Sequence, residues 1–246
     1  MRKVALITGA LTGIGHETAL LFAKNDFKLV VSGRRDEAGK ALEAELQKLG
    51  AEAFFFKSDV QKEDQVKALV DFCLSKFGRL DVAVNNAGTE GKALPLTDVT
   101  TESYYYTFDT NVLGVILSLK YELAAMYKQK SGTIINMSSI AGKMGSPSAG
   151  LYVASKHAVE GLTKTAALEA APFDVKVNAI APGPIATRMF NDFIPDDSVR
   201  DEFVSAVPLK RVGEVSDIAN MALYIAQGKS PYMTGASITI DGGMLA

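Results

Sequence analysis

The chain has 246 residues, of which 48% are hydrophobic and 22% are charged, and its formal net charge is -2. This charge gives no electrostatic reason to expect nucleic acid or an anionic membrane as a partner. The apolar runs are shorter than the roughly 20 residues of a membrane span, and the first is too brief for a signal peptide. The single cysteine, Cys73, excludes an intrachain disulfide. We therefore expect a cytoplasmic protein that binds neither nucleic acid nor membrane.

Short apolar runs alternate with longer amphipathic stretches along the chain. The predicted strands are residues 4–7, 28–32, 51–57, 80–85, 133–137, 175–180 and 236–240, and the predicted helices are residues 15–24, 36–49, 61–77, 102–128 and 150–170. Strands with several apolar residues in succession, separated by helices, are typical of a parallel sheet covered on both faces. We predict a single α/β domain over residues 1–246, a Rossmann-like doubly wound fold with about seven parallel strands and helices on both faces.

One segment interrupts this alternation. Residues 182–197 are rich in Pro, Gly, Asp and Asn and lie between the sixth strand and the next helix, which indicates a loop. Doubly wound sheets bind ligands at the carboxyl ends of their strands. We therefore expect a loop at about 184–205 that covers the substrate.

The first strand runs into the sequence TGALTGIG at residues 8–15. Gly9, Gly13 and Gly15 stand between a predicted strand and a predicted helix, where they let the backbone turn tightly and bring helix N-terminal amides to a pyrophosphate. Glycines also serve ordinary turns. At the first strand–helix junction of this alternation, however, the pattern favours the binding of a dinucleotide.

The end of the second strand distinguishes NAD from NADP. An acidic residue there would bind the 2′-hydroxyl of NAD, whereas arginine can bind the 2′-phosphate of NADP. Gly33 stands where the carboxylate would be, and Arg34 and Arg35 follow it, so NADP(H) is preferred and NAD(H) is the alternative. Asp36 complicates this preference, although it can equally be the cap of the next helix. Asp59, just after the third strand, is expected to reach the adenine edge.

Six motifs then occur in one order: TGALTGIG at 8–15, NNAG at 85–88, Asn111, the serine pair 138–139, Tyr152-x-x-x-Lys156 and PGPIAT at 182–187. Each motif alone is weak, and a lone Tyr-x-x-x-Lys is usually a solvated helix surface. Together, in this order, they resemble the classical short-chain dehydrogenase/reductase family over essentially the whole chain.

The resemblance implies that Tyr152 is the acid/base residue, with Lys156 as its partner. It also implies that Ser139 binds the substrate oxygen and that Asn111 completes a tetrad through a water and Lys156. Ser138 competes with Ser139 for the serine role, and we favour Ser139 because its spacing from the tyrosine is the usual one in this family.

The resemblance further implies that the cofactor lies along the glycine loop, the strand ends and the PGPIAT segment, and that one of its riboses contacts Lys156. The expected cofactor-binding residues are Gly9, Thr12, Gly13, Ile14, Gly15, Arg34, Arg35, Asp59, Val60, Asn86, Ala87, Gly88, Tyr152, Lys156, Pro182, Gly183, Ile185 and Thr187. The two histidines, His16 and His157, are far apart in the chain and have no ligand spacing, so no metal site is predicted.

The chemistry follows from the ionisation of a phenol. A free tyrosine has a pKa near 10, which is poorly matched to proton transfer at neutral pH. Because a cation one helical turn away favours the phenolate, we expect Lys156, together with an oxidised nicotinamide, to lower the pKa of Tyr152. In the reductive direction, hydride passes from the nicotinamide to a carbonyl carbon, Tyr152 protonates the developing alkoxide, and Ser139 stabilises the same oxygen.

The function we expect is an NADP(H)-dependent oxidoreductase that interconverts ketones and secondary alcohols, a carbonyl reductase of small hydrophobic or aryl ketones. Apolar residues in the variable segments favour such substrates over sugars: Met144, Leu151, Met189, Phe190 and Phe193. A glucose-type sugar dehydrogenase stays an alternative. A halohydrin dehalogenase would lack the glycine loop and usually carry arginine at position 156, and a nucleotide-sensing regulator would typically lose Tyr152 or Lys156.

A 3-oxoacyl-[acyl-carrier-protein] reductase is the other alternative. Its acidic partner protein requires basic residues beside the active-site entrance. Lys128 and Lys130 are suitably basic, but Phe173 stands where such reductases often carry arginine. The resemblance also implies a homotetramer, in which the helices at 102–128 and 150–170 pair across one interface and the C-terminal strand contributes to another.

Overall fold

The computed structural model describes residues 2–188, residue 190 and residues 204–246. Within them lie the strands β1 (Val4–Ile7), β2 (Lys28–Gly33), β3 (Ala53–Lys57), β4 (Val82–Asn85), β5 (Gly132–Met137), β6 (Val175–Pro182) and β7 (Ser237–Ile240). These strands form one parallel sheet in the order β3-β2-β1-β4-β5-β6-β7. The predicted Rossmann-like parallel sheet is therefore confirmed.

Helices cover both faces of this sheet. The α-helices of the described ranges are α1 (Gly13–Ala23), α2 (Asp36–Lys48), α3 (Glu63–Phe77), α4 (Thr101–Phe108), α5 (Gly114–Gln129), α6 (Gly150–Ala170) and α7 (Val215–Ala226). Successive strand residues point to opposite faces. Ile7 belongs to the core that contains Phe22 of α1 and Ile218 of α7, whereas Leu6 belongs to the core that contains Cys73 of α3. Cys73 is fully buried there.

The long helix predicted at 102–128 is divided in the structure. A π-helical turn, Asp109–Leu113, separates α4 from α5. Such single-turn π segments are rare and frequently occur at functional sites. The sequence pattern does not reveal the turn, because the apolar periodicity continues on both sides of it.

The predicted substrate loop at 184–205 lies largely outside the described residues, and Met189 and Phe193 lie wholly outside them. In the part of the chain that is described, no helix combines the length and the apolar character needed to cross a membrane.

Candidate active site

The carboxyl ends of the strands form a cleft where the sheet order reverses, between β1 and β4. One part, the glycine-loop cavity of about 320 Å³, is lined by the β1–α1 loop and by residues that follow β2, β3 and β4. The other part, the tyrosine cavity of about 260 Å³, is lined by residues that follow β5 and β6 and by α6. Because Ile14, Asn86, Gly88 and Thr187 line both cavities, the two form one continuous cleft.

The glycine loop packs directly against the segment that follows β4. Gly9 has a φ of +63°, and a Cβ atom at this position would lie 2.7 Å from the Cα of Ala87. A Cβ atom at Gly15 would collide with the side-chain nitrogen of Asn86. That nitrogen donates hydrogen bonds to the carbonyl oxygens of Thr8, at 3.2 Å, and of Gly9, at 3.0 Å. Only glycine permits this close approach of two backbone segments.

Helix α1 begins directly after the loop, with Thr12 at its N-cap. The Thr12 side chain makes no capping hydrogen bond within the described structure, and the first turn of α1 carries no acidic residue. The first N–H groups of a helix have no intrahelical partner, and the helix dipole puts partial positive charge on them. These amides open on the glycine-loop cavity and have the chemistry that binds a pyrophosphate.

The far end of the glycine-loop cavity is basic. Arg34 and Arg35 line it, and a Cβ atom at the preceding Gly33 would collide with the side chain of Leu11. Asp36, the residue that complicates the cofactor preference, begins α2 and forms an ion pair with Lys57 on β3, at 2.7 Å. Its carboxylate is therefore already paired with a cation of the chain.

Helix α6 presents Tyr152 and Lys156 to the tyrosine cavity, as their spacing predicts. The ammonium nitrogen of Lys156 lies 5.7 Å from the centre of the Tyr152 ring and donates a hydrogen bond to the carbonyl oxygen of Met137 at the end of β5, at 2.9 Å. The hydroxyl of Ser139 lies close enough to Tyr152 to lower the pKa of its phenol, and it accepts from the backbone N–H of Ala141, at 3.2 Å. Ser138 also borders the cavity, but its hydroxyl oxygen is buried without a partner among the described residues. This geometry favours Ser139 over Ser138.

Burial controls the ionisation of both α6 groups. It raises the pKa of Tyr152, against the lowering effect of the Ser139 hydroxyl, and the negative charge of Glu90 adds to the rise. Burial lowers the pKa of Lys156 to about 8, while the charge of Glu160 opposes that change. In the protein by itself the pKa of Tyr152 is therefore raised, and the lowering expected from Lys156 together with an oxidised nicotinamide stays a prediction. Removing the phenolate from water costs more than the interaction with Ser139 returns.

Asn111 lies in the π-helical turn and is buried, so it borders neither cavity as described. Its side-chain nitrogen donates to the carbonyl oxygen of Thr89, at 2.7 Å, and to the hydroxyl of Ser155, at 3.0 Å. Its side-chain oxygen accepts from the backbone N–H of Thr89, at 2.8 Å. Asn111 therefore links the segment after β4 to α6 by hydrogen bonds. Its expected contact with Lys156 through a water stays a prediction.

The structure collects most of the other predicted cofactor residues along the cleft. The glycine-loop cavity is bordered by Gly9, Thr12, Gly13, Ile14, Arg34, Arg35, Asp59, Val60, Asn86, Ala87, Gly88 and Thr187, and the tyrosine cavity by Pro182, Gly183 and Ile185. Gly15 lies beneath the loop. His16 instead faces Glu45 of α2, at 3.2 Å, and the described residues contain no cluster of potential metal ligands.

The tyrosine cavity is largely apolar. Met144 and Phe190 line it as predicted, whereas Leu151 is absent from the described lining because it precedes Tyr152 and points about 100° away around α6. Sequence reasoning missed Met244. Gly242 and Gly243, both at positive φ, turn the C-terminal segment so that this methionine reaches the cavity. The Gly-Gly pair in TIDGGMLA was the available signal.

Known proteins resemble the chain over its whole length. A family model described as Enoyl-(Acyl carrier protein) reductase matches residues 9–245. The 3-oxoacyl-[acyl-carrier-protein] reductase FabG of Staphylococcus epidermidis is 41% identical over 246 residues, 99% of each chain. The crystal structure of levodione reductase has a TM-score of 0.94 at 34% identity, covering 98% of this chain and 96% of its own. A structure described as ElxO with NADP bound has a TM-score of 0.91 at 39% identity, covering 100% and 99%. The chain belongs to the short-chain dehydrogenase/reductase family of oxidoreductases.

Proposed function

We propose that the protein is an NADP(H)-dependent carbonyl reductase of small hydrophobic or aryl ketones, which oxidises secondary alcohols in the reverse direction. The observation that carries this proposal is the joint presence of Ser139, Tyr152 and Lys156 in an apolar cavity that is continuous with the glycine-loop cavity. The chain thus offers a polar site for a carbonyl oxygen next to a site with the chemistry of a dinucleotide pocket.

The residues present fit NADP(H). The close-packed glycine loop and the amides of α1 suit its pyrophosphate, and Arg34 and Arg35 suit its 2′-phosphate. The ion pair with Lys57 offsets the charge of Asp36, which otherwise argues for NAD(H). The related ElxO was solved with NADP bound, which supports the same preference. When bound, the cofactor supplies the hydride.

The chain's own residues hold and deliver the proton. The raised pKa of Tyr152 keeps its phenol protonated at neutral pH, so the hydroxyl can donate a proton to the oxygen that becomes an alkoxide. Ser139 lines the cavity beside Tyr152 and can offer a second hydroxyl to the same oxygen. Lys156, held by the carbonyl oxygen of Met137, contributes positive charge and can donate to a ribose hydroxyl.

The lining of the tyrosine cavity supports the substrate class. Beyond the catalytic groups, the described walls are chiefly apolar and include Met137, Ile140, Met144, Phe190 and Met244. A volume of about 260 Å³ is small for a ligand site. An aryl or alkyl ketone would bury its apolar body against these walls, whereas a sugar would leave hydroxyl groups without partners.

A second candidate is reduction of a 3-oxoacyl thioester on acyl carrier protein, favoured by the 41% identity to FabG. The positions of Lys128 and Lys130 in the chain argue against this second candidate, because they are far from the active-site entrance of the same chain. Lys128 and Lys130 precede β5, at the opposite end of the sheet from Ser139, which follows that strand. Phe173, in place of an arginine, stacks on Tyr127 with ring centres 4.0 Å apart.

We also propose that the protein assembles as a homotetramer, as family members with these two long helices do. Exposed apolar side chains on the helices involved support this assembly: Ile116 on α5 and Leu168 on α6. Light scattering on a sizing column tests it, and a monomeric mass would contradict it.

The decisive experiment follows oxidation of NADPH and NADH against aryl ketones, β-keto esters and a 3-oxoacyl thioester that mimics acyl carrier protein. Tyr152→Phe should lower kcat by about 10²–10⁴-fold, the usual contribution of a positioned acid, while NADPH still binds. Tyr121→Phe, which alters a half-buried tyrosine of α5 whose hydroxyl donates to Glu63, is the matched control and should leave kcat unchanged. Preference for the thioester by orders of magnitude would favour the second candidate, and a fully active Tyr152→Phe would contradict both.

A further inference from the structure

A chain of buried polar side chains crosses the molecule beneath the cleft. Glu122 of α5, Asn85 of β4, Asn136 of β5 and Thr163 of α6 are each at most 3% exposed. The Asn85 side-chain nitrogen donates to Glu122 and to Asn136, both at 3.0 Å. The Asn136 nitrogen donates to the hydroxyl oxygen of Thr163, at 2.9 Å. One continuous set of hydrogen bonds therefore joins two strands and two helices.

The direction of every bond in this chain is fixed from its α6 end. The Thr163 hydroxyl donates its proton to the carbonyl oxygen of Val159, at 2.8 Å, so its oxygen must accept from the nitrogen of Asn136. The oxygen of Asn136 must then accept from the nitrogen of Asn85. Both N–H groups of Asn85 are thereby used, one on Asn136 and one on Glu122. While the Thr163 hydroxyl donates to Val159, turning either amide around would set two donors or two acceptors against each other.

Two acceptor atoms are left over at the Glu122 end. Asn85 Oδ1 and Glu122 Oε1 are both buried without a hydrogen-bond partner among the described residues. They belong to the two groups that already share a bond through Asn85 Nδ2 and Glu122 Oε2. A carboxylic acid and a carboxamide complete such a pair when the acid donates its proton to the amide oxygen. One proton on Glu122 Oε1 would satisfy both orphaned atoms.

We propose that Glu122 is a positioning residue, a neutral carboxylic acid that donates its proton to Asn85 Oδ1 and thereby holds β4, β5 and α6 in register under the active site. Asn85 directly precedes Asn86 of the glycine-loop cavity. Asn136 lies one residue before Met137, the acceptor for Lys156. The effect on catalysis rests on the function proposed above, whereas the acid–amide pair does not.

The surroundings of Glu122 agree with a neutral acid. Desolvation raises its pKa to about 7, against the lowering effect of the Asn85 hydrogen bond. From α3, Cys73 lies within electrostatic reach of it, and burial raises the pKa of that thiol to about 12, so the thiol carries no charge. The groups in its hydrogen-bonded chain from β4, β5 and α6 are the uncharged Asn85, Asn136 and Thr163.

The raised pKa of Glu122 predicts the direction in which the stability of the fold changes with pH. A group whose folded pKa is above its unfolded value stabilises the fold fully below the unfolded value, and that stability is lost as pH rises through the folded pKa. For Glu122 the loss falls between the ordinary value of 4.5 and about 7. Glu122→Gln keeps the pairing, since the new amide donates to Asn85 Oδ1 and accepts from Asn85 Nδ2, but it cannot ionise.

The first test compares thermal unfolding of the parent and Glu122→Gln between pH 5 and pH 8. The two midpoints should agree within about 2 °C at pH 5, and the variant should exceed the parent by about 5 °C or more at pH 8. Glu102→Gln, which neutralises an exposed carboxylate on α4, should follow the parent at every pH. Parallel curves for the parent and Glu122→Gln would overturn the proposal.

The second test separates positioning from stability alone. The ratio of kcat for Glu122→Gln to kcat for the parent should rise about threefold or more from pH 6 to pH 8, with the KM for the ketone unchanged, because the ionised Glu122 repels Asn85 Oδ1. Glu122→Leu, which cannot pair, should lose activity that Glu122→Gln retains. A ratio constant with pH would make Glu122 merely structural. If no ketone is reduced, the proposed function fails, and the unfolding curves together with the pH dependence of NADPH affinity still decide this proposal.

Discussion

The two parts of the cleft are built by different means. The glycine-loop cavity is shaped mainly by backbone, because Gly9 and Gly15 let the loop touch the segment after β4. The tyrosine cavity is shaped by side chains from distant segments, such as Ser139, Tyr152 and Met244. A site made of backbone suits the pyrophosphate that every dinucleotide contains. A site made of side chains can be altered by substitution, and so accept a different substrate, without any change in the sheet.

The same contrast appears in the electrostatics. The glycine-loop cavity offers helix amides and, at its far end, the cations Arg34 and Arg35, all of which suit phosphate groups. The tyrosine cavity contains two buried ionisable groups whose pKa shifts favour the neutral form. The pKa of Tyr152 is raised and the pKa of Lys156 is lowered. Substitutions in the first cavity should therefore act on cofactor affinity, and substitutions in the second on turnover.

Among substitutions that distinguish the two cavities, we expect the largest change in kcat from the serine pair, Ser138 and Ser139. Ser139→Ala removes the hydroxyl that lies beside Tyr152 and should lower kcat by about 10²-fold, the usual cost of losing one oxyanion donor. NADPH affinity should not change, because the glycine-loop cavity is untouched. Ser138→Ala is the matched control and should retain parental kcat, since its hydroxyl makes no bond in the described structure. An equal loss of kcat in both variants would contradict the assignment of Ser139 as the serine that stabilises the substrate oxygen.

The arginine pair tests the opposite part of the cleft. Replacing Arg34 and Arg35 together with alanine should raise the KM for NADPH about 10–100-fold, because the loss of even one charge-assisted hydrogen bond to phosphate costs about 1.5–3 kcal/mol. The KM for NADH, and kcat at saturating cofactor, should stay near the parental values. Initial rates with both cofactors provide the measurement. An equal increase for NADPH and NADH would show that these arginines do not recognise the 2′-phosphate.

This division also explains what the sequence can reveal. The glycine loop is contiguous, so its motif and position predict both its strand–helix context and its chemistry. Tyr152 and Lys156 are four residues apart on one helix, and their shared face follows from helix geometry. Met244 could not be assigned in this way, because its place in the tyrosine cavity depends on how the C-terminal segment turns at Gly242 and Gly243.

Burial is the other property that local sequence does not give. A lysine one turn from a tyrosine predicts a lowered phenol pKa, yet the pKa of Tyr152 is raised because the tertiary structure removes it from water. Glu122 reads in sequence as one more charged residue of an amphipathic helix. Only the packing of β4, β5 and α6 around it shows that it is enclosed with Asn85.

The smallest expected effect concerns the ion pair between Lys57 and Asp36. Both side chains are about half exposed, and such pairs contribute about 0.2–1 kcal/mol. Lys57→Ala should leave the Asp36 carboxylate beside Arg35 without its partner, where it competes with the 2′-phosphate. We expect the KM for NADPH to rise about 2–5-fold at low salt, and the rise to shrink at high salt, where exposed charges are screened.

Asp36→Ala combined with Lys57→Ala provides the control for this last prediction. Removing both charges leaves no unpaired carboxylate, so the double variant should recover the parental KM for NADPH at low salt. A rise that persists in the double variant would mean that Lys57 itself contacts the cofactor. A rise that high salt does not reduce would mean that the change is one of packing. In the first case, the basic character of the glycine-loop cavity would rest on Lys57 as well as on the two arginines that line it.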